Sequence, residues 1–374
     1  MPRASSLRAP GNQGVTFVEL FFDLVFVFAV TKVTAVVAHD LHLWGVLRAV
    51  LVFWMIWWAW TQFTWALNPA DTNNAVVRIG TLVATGVTFM MALAVEDAFA
   101  DGGLRFVVPY IAVRFIGLGL YVRVTADQAD QLSAVRVFGA ASLLGLAVAL
   151  VGGFMDPDIR FWVWLFVIVL DFTAAIVGGR REGWGLHAAH FTERHGLFVI
   201  IALGESLIAA GVAASTASRG AAIVALGSVT VVGLLWWSYF GWLKDKLEHA
   251  MTAVTGSTQS RLARDVYSLI HFPLIAGVIG VAVGIEEMVA HPFEALHGEE
   301  VAAFAGGIVL FVGSAAAACR RALHRLLAPR LILMAAFVAT FAFIPHPSPA
   351  TALAAAVTAL LLLAVVEARP SASR

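Results

Sequence analysis

The chain has 374 residues, of which 60% are hydrophobic and 13% charged, and its mean hydropathy is +0.87. An ordinary soluble domain is about 45–50% apolar, so this composition belongs to a polytopic membrane protein. The 24 basic residues balance the 24 acidic ones, which gives no bulk charge for a nucleic acid, and the single cysteine, Cys319, excludes an internal disulfide and a cysteine-built metal cluster.

In chain order, apolar runs of about 17 to 24 residues, long enough to cross a bilayer as helix, predict spans at roughly 17–38, 44–67, 77–96, 104–123, 136–154 and 160–179. Six more follow at roughly 196–214, 221–243, 266–288, 301–319, 330–345 and 350–367, the last two short and separated by "IPHPSP". Arg3 and Arg8 precede the first run as in a signal peptide, but that run carries Glu19 and Asp23 and lacks a small-x-small cleavage site, so it reads as a permanent span. The predicted fold is all-α, a polytopic helical membrane protein of about twelve spans. Its expected divisions are a cytoplasmic tail at 1–16, a first six-helix repeat at 17–179, a cytoplasmic linker at 180–195, a second repeat at 196–367 and a tail at 368–374.

Two observations support a pair of parallel repeats. "WMIWWAWTQFTW" ends the second span and "LLWWSYFGW" the eighth, while "MALAVEDAF" ends the third and "VAVGIEEMV" the ninth. Six spans per half give both halves the same orientation, as in parallel-repeat transporters. With the N-terminus inside, 18 of the 22 Lys and Arg residues in the loops, tails and span ends fall on the inner side, and the positive-inside rule puts both termini in the cytoplasm. The outer side carries eleven carboxylates, including Glu96, Asp97, Glu286 and Glu287, an acidic rim able to concentrate cations.

Chemistry is sought at the buried charges. Glu19 and Asp23 are four residues apart and share one helix face, while Lys32 lies half a turn away from Asp23. The pair is expected to face the protein interior, towards a hydrated cytoplasmic vestibule. Arg114, Asp171 and Glu205 sit near mid-span, and counting Asp23, Asp171 and Glu205 against Lys32 and Arg114 leaves one surplus carboxylate, to be protonated or to hold a cation. Arg114 is expected to approach Asp171 or Glu205 as an interhelical lock. His271, followed by Pro273 in the ninth span, is a further candidate for the polar path. Ala276, Gly280 and Gly284 form a small-residue ridge suited to close helix packing. "LHAAHFTERH" places His187, His190, Glu193 and His195 at a spacing compatible with a metal or an acid–base site, but in an expected loop without a matching ligand set, so no metal is assigned. There is no P-loop, no dinucleotide fingerprint and no nucleophile motif; no cofactor and no catalytic residue is assigned. Most of the twelve tryptophans are expected in interfacial belts.

"VELFFDLVFVFAVTKVT", "ERHGLFVIIALGESLIAAG" and "HFPLIAGVIGVAVGIEE" together resemble the bacterial low-temperature-requirement A family over most of the chain. That resemblance implies an integral protein of the bacterial inner membrane, with a genetic link to growth in the cold and no settled biochemical activity. The first-span pattern E-x-F-x-D-x-V-F followed by A-V-T also resembles the opening of the lysosomal potassium-channel family of two six-helix repeats, in which the first helix of each repeat lines the pore. The chain departs from that pattern, having no Arg just before Glu19 and no second F-x-D in "HGLFVIIALGES".

The expected function is transport or conduction of a cation or small solute between two pseudo-symmetric halves, not catalysis, with Asp23 and Glu205 as the polar centre. The partners are the lipid bilayer and the transported species, with no nucleic acid, and a homo-oligomer is compatible with such a chain. The rival expectations are an intramembrane enzyme using the 187–195 histidines with Glu193, and a structural protein needed for growth in the cold.

Overall fold

A computed structural model describes residues 7–9, 13–179, 184–214 and 219–368. Among them regular structure is helical, apart from one isolated antiparallel bridge between Arg8 and Ala70. The helices are α1 (Phe17–His39), α2 (Leu43–Leu67), α3 (Ala75–Leu93), α4 (Gly103–Val124), α5 (Ala129–Gly153), α6 (Pro157–Gly179), α7 (Ala188–Ala214) and α8 (Arg219–Phe240). They continue with α9 (Leu243–Thr252), α10 (Gly256–Leu262), a π-helical segment (Ala263–Ile270), α11 (His271–Ala290), α12 (Gly298–Leu323), α13 (Ala328–Phe343) and α14 (Pro349–Ala368).

Eleven helical stretches among the described residues are long and apolar enough to cross a membrane, with α8 and α9 forming one and α10, the π segment and α11 another. The remaining expected span, the eleventh, is α13, whose 16 residues reach about 24 Å at 1.5 Å per residue, short of a hydrocarbon core of about 30 Å. The molecule is therefore a polytopic helical membrane protein.

Two boundaries differ from expectation for a physical reason. Helix α7 begins at Ala188 and not near 196, because His190, Arg194 and His195 are buried at 3%, 0% and 0% exposure against polar partners. Polar residues that read as a loop are here one face of a helix. Arg194, counted in the sequence among cytoplasmic loop charges, lies inside that helix. Arg160, at the start of the expected sixth span, is likewise buried and donates to the carbonyls of Ala98, Ala100, Gly152 and Met155, which gives loop and helix-end backbone its missing donors.

The chain forms two compact units. The first takes the described residues of Met1–Val36, Leu43–Phe198 and Met251–Ser268; the second takes Val37–His42, Val199–Ala250 and the described part of Leu269–Arg374. In the first unit α2 is the central element, buried nearly all round, as expected of a helix apolar on every face. Trp54, Trp57, Trp58 and Trp60 are at most 4% exposed and pack as rings 5.2 Å (Trp54 with Trp58) and 5.0 Å (Trp57 with Trp60) apart. The belt expectation fails for these four: they are core. It suits Trp44, Trp162, Trp236 and Trp237, all exposed in the outer turns of their helices.

In the second unit the tightest packing is α11 on α12. A Cβ on Gly277 would lie 2.6 Å from the Gly307 carbonyl oxygen, one on Gly280 2.7 Å from that of Ala303, and one on Gly284 2.4 Å from Phe304 Cβ. Backbones approach this closely only where side chains are absent. Gly277, rather than Ala276, heads the ridge. The π segment ends three residues before Pro273, whose missing N–H and ring clash disrupt the ordinary α-helical pattern.

Candidate functional site: a buried carboxylate, arginine and histidine cluster

The first unit holds Glu19 and Asp23 at 0% exposure, on the face of α1 turned towards α2 and α7. Thr16-x-x-Glu19 makes one half of a capping box, the Glu side chain reaching back to the Thr16 N–H. The Thr16 backbone N–H and hydroxyl both donate to Glu19 Oε2, at 3.0 and 2.9 Å, and the Glu19 N–H donates to the Thr16 carbonyl at 3.1 Å. That fixes one carboxylate oxygen at the helix start and leaves Oε1 for long-range partners.

One turn further, Asp23 is met by three N–H donors. Arg194 donates through Nη2 to Oδ1 at 2.8 Å and through Nε to Oδ2 at 3.3 Å, a two-pronged pair, and Trp60 Nε1 donates to Oδ1 at 2.8 Å. The guanidinium lies 5.7 Å from the Phe22 ring centroid and 5.9 Å from that of Trp60. Its Nη1 stands 3.5 Å from Glu19 Oε1, so one cation serves two carboxylates.

The fourth member is His190, one helical turn before Arg194. Its Nε2 lies 3.1 Å from Glu19 Oε1 and 3.3 Å from Oε2. Asn68 fixes the tautomer. The Asn68 Oδ1 accepts the His187 N–H at 2.8 Å, and its Nδ2 donates to the His187 carbonyl at 3.0 Å, which aims the amide at His190 Nδ1, 3.3 Å away. An imidazole whose Nδ1 accepts from an amide carries its proton on Nε2, towards Glu19. At the mouth of α7, burial holds the His187 imidazole below its ordinary value, and His190 and Arg8 add to that.

The sequence singles out Glu19 and Asp23, which are buried here, and does not single out Arg194. The signal was present: His187, His190, Phe191, Arg194, His195 and Phe198 recur at three- and four-residue spacing, which continues the period of α7 into the supposed loop. Thr16-x-x-Glu19 before an apolar run was also readable. Glu193 falls on the opposite face, exposed, where it accepts the Val15 N–H at 3.4 Å, so it does not join the histidines.

A second buried ion pair lies in the same unit. Arg114 Nη1 is 3.4 Å from Asp171 Oδ1, and Arg114 also donates to the Tyr110 hydroxyl at 2.6 Å and, through Nε, to Gln62 Oε1. Gln62 Nε2 donates back to the Arg114 carbonyl at 2.9 Å, and Trp54 Nε1 reaches Asp171 Oδ2 at 3.4 Å. Glu205 belongs to the second unit, half-buried in α7, with no hydrogen bond or ion pair among the described residues. His271, also in that unit, faces the Tyr239 hydroxyl at 2.8 Å. Of the four acids expected at an outer rim, Glu96 pairs with Lys32 at 2.9 Å and Asp97 with Arg105 at 3.2 Å in the first unit, while Glu286 and Glu287 lie half-buried near the end of α11 in the second. The surplus-acid count therefore changes: Lys32 pairs with Glu96, and Arg194 enters the interior with Glu19.

This fold and site define a class: a multi-pass helical membrane protein whose first helix presents two carboxylates to an arginine and a histidine of the seventh. Residues 14–366 match the model of the bacterial low temperature requirement A protein (LtrA), and the chain belongs to that family. It is also 30% identical over 309 residues to an uncharacterized protein, RA0937, of Rhizobium meliloti (strain 1021), covering 79% of this chain and 75% of that one. No solved structure matches it.

Proposed function

We propose that this LtrA-family protein carries a cation across the membrane, that the cation is a proton, and that the cluster of Glu19, Asp23, Arg194 and His190 is where it is held. The observation that supports this is the charge count: two carboxylates at 0% exposure face one guanidinium, and the remaining charged or titratable partner is an imidazole. With Nδ1 of His190 engaged by the Asn68 amide, the cluster carries one net negative charge, and one proton on Glu19 cancels it. A buried uncompensated charge is costly, so loading and unloading one cation interconverts two distinct states of the site. Glu19 Oε1 is the open position, since its nearest nitrogens make no well-aligned hydrogen bond to it. Metal cations such as Ca²⁺ are held by six or more oxygens, whereas N–H donors surround these carboxylates; a proton fits that environment and a metal ion does not. The two-repeat organisation belongs to the same proposal.

A second reading, a static interhelical lock, is favoured by the two-pronged Arg194 contact to Asp23. Proton flux into proteoliposomes, read by a pH-sensitive dye under an imposed K⁺ diffusion potential, separates the two. The transport reading expects flux from the wild-type chain and its loss in Glu19→Gln with the fold retained. Folded wild-type protein that moves no protons, or Glu19→Gln with wild-type flux, refutes it.

A further inference from the structure

The first unit has a feature that proton transport does not use. A cavity of about 60 Å³ opens where α6 ends at Gly179 and Trp184 leads into α7, walled by α2, α4, α5 and the α10–π segment. Trp58, Trp65, Tyr121, Phe138 and Trp184 form its aromatic wall, with Trp184 edge-on to Trp65 at 5.4 Å and to Phe138 at 6.2 Å. Three observations mark it as more than a packing gap. The hydroxyl of Thr61, a lining residue only 3% exposed, has no hydrogen-bond partner. Arg261 and Arg264 line the cavity; Arg264 is held by Asp265 at 2.7 Å, while Arg261 is exposed with no ion-pair partner among the described residues. One wall is the π segment, where Ser268 takes Trp57 Nε1 on its carbonyl at 2.7 Å and Trp65 Nε1 on its hydroxyl at 3.0 Å, and π-helical turns concentrate at functional sites.

We infer that this cavity is a binding site for an anionic phospholipid. The phosphate meets Arg261, an ester or glycerol oxygen supplies the partner that the Thr61 hydroxyl lacks, and the first methylenes of one chain lie among the aromatic rings. Size and charge select this occupant. A cavity holding benzene measures about 150 Å³, so this one has room for only the first atoms of a slender chain and not for a ring, with the phosphate outside at the exposed Arg261. An aromatic wall alone would also suit a quaternary ammonium, but the arginines oppose that charge, so a zwitterionic choline lipid is disfavoured. Basic pockets between membrane helices are the expected sites for anionic headgroups.

The test is native mass spectrometry of the full chain in neutral detergent, titrated with phosphatidylglycerol, with phosphatidylcholine of the same acyl chains, and with oleate. The expected result is one tightly retained phosphatidylglycerol, and a loss in Arg261→Ala of about tenfold, the scale of one charge-assisted contact. Thr61→Val should weaken both phospholipids, and Arg320→Ala, a basic residue of the other unit, should change nothing. Arg261 is exposed, so its variant is expected to melt like the wild type; should it not, Arg261→Gln takes its place. Equal retention of the two phospholipids, preference for oleate, or an equal loss in Arg320→Ala overturns the proposal. None of these outcomes depends on whether protons are transported.

Discussion

Replacing Arg194 with methionine is the sharpest perturbation of the cluster. It keeps an unbranched apolar stem and removes the guanidinium, leaving Asp23 with one of its three N–H donors, Trp60 Nε1, and Glu19 Oε1 with only the imidazole nearby. Removing one partner of a buried pair costs about 3–5 kcal/mol, because the other charge is left buried and uncompensated. At about 2–4 °C per kcal/mol for compact units of this size, the apparent Tm in detergent should fall by about 6–20 °C. The argument makes a second, stricter demand. Adding Asp23→Asn to Arg194→Met removes one stranded charge, and adding Glu19→Gln removes the other, so stability should recover stepwise. Differential scanning fluorimetry of the four proteins measures both steps. If the triple variant melts no higher than Arg194→Met, the cost lies in lost packing against Phe22 and Trp60, and the charge argument is wrong.

The Arg114 site should behave as a simple lock: Arg114→Met is expected to lose about 3–5 kcal/mol, most of it recovered in the double variant with Asp171→Asn, and thermal melts without recovery would refute the pairing. Gly277→Ala should destabilise by about 1–3 kcal/mol through overpacking, since its Cβ would lie 2.6 Å from the Gly307 carbonyl oxygen; a wild-type melt would show that α11 and α12 are not so close. On the surface of the second unit, the Glu299 carboxylate, 2.8 Å from His42 Nδ1, raises that imidazole above its ordinary value, chiefly through the hydrogen bond. The small stabilisation of a raised histidine is fully present below its unfolded value near 6.5 and is lost as pH rises through the folded one. Glu299→Gln should therefore lower the His42 titration midpoint followed by NMR, and an unchanged midpoint would refute the contact.

The spans were readable because a bilayer demands long apolar runs, and α1 to α6 start and end within a few residues of expectation except at the start of α5. The polar edges were harder. A span is recognised by hydropathy, and "HAAHFTER" has none, so the first two turns of α7 looked like loop although their three- and four-residue period was intact. The same blindness hid Arg194. An arginine adjoining an apolar run is ordinarily cytoplasmic, and only the placement of α7 beside α1 shows that it reaches two carboxylates 171 and 175 residues away in sequence. Asp171 was one of two partners offered for Arg114, because several mid-span acids at similar depth are interchangeable until helix neighbours are known. The tryptophans of α2 misled for a related reason: composition places a tryptophan near a span end, but only packing tells a belt from a core.

The two buried ion sites of the first unit are not equivalent, and their difference bears on function. At Arg114 one cation meets one carboxylate at 3.4 Å, with a phenol, an amide and an indole filling the remaining positions, so the site is neutral and satisfied without change. Such a pair is costly to break and has nothing to gain from a proton. At Arg194 the same kind of cation is shared by two carboxylates, and the group that faces the second is an imidazole whose Nε2–H Asn68 holds towards it. Asn68 therefore gives the two readings of the cluster different consequences. Asn68→Leu keeps the volume and removes the amide that orients His190; a static lock centred on Arg194 and Asp23 should lose only a buried hydrogen-bond group's worth of stability, about 1–3 kcal/mol. A proton-holding site should in addition shift the pH dependence of flux, because Nε2–H is no longer presented to Glu19. Wild-type pH dependence in a folded Asn68→Leu protein would remove His190 from the transport mechanism and leave Glu19 to carry the charge alone.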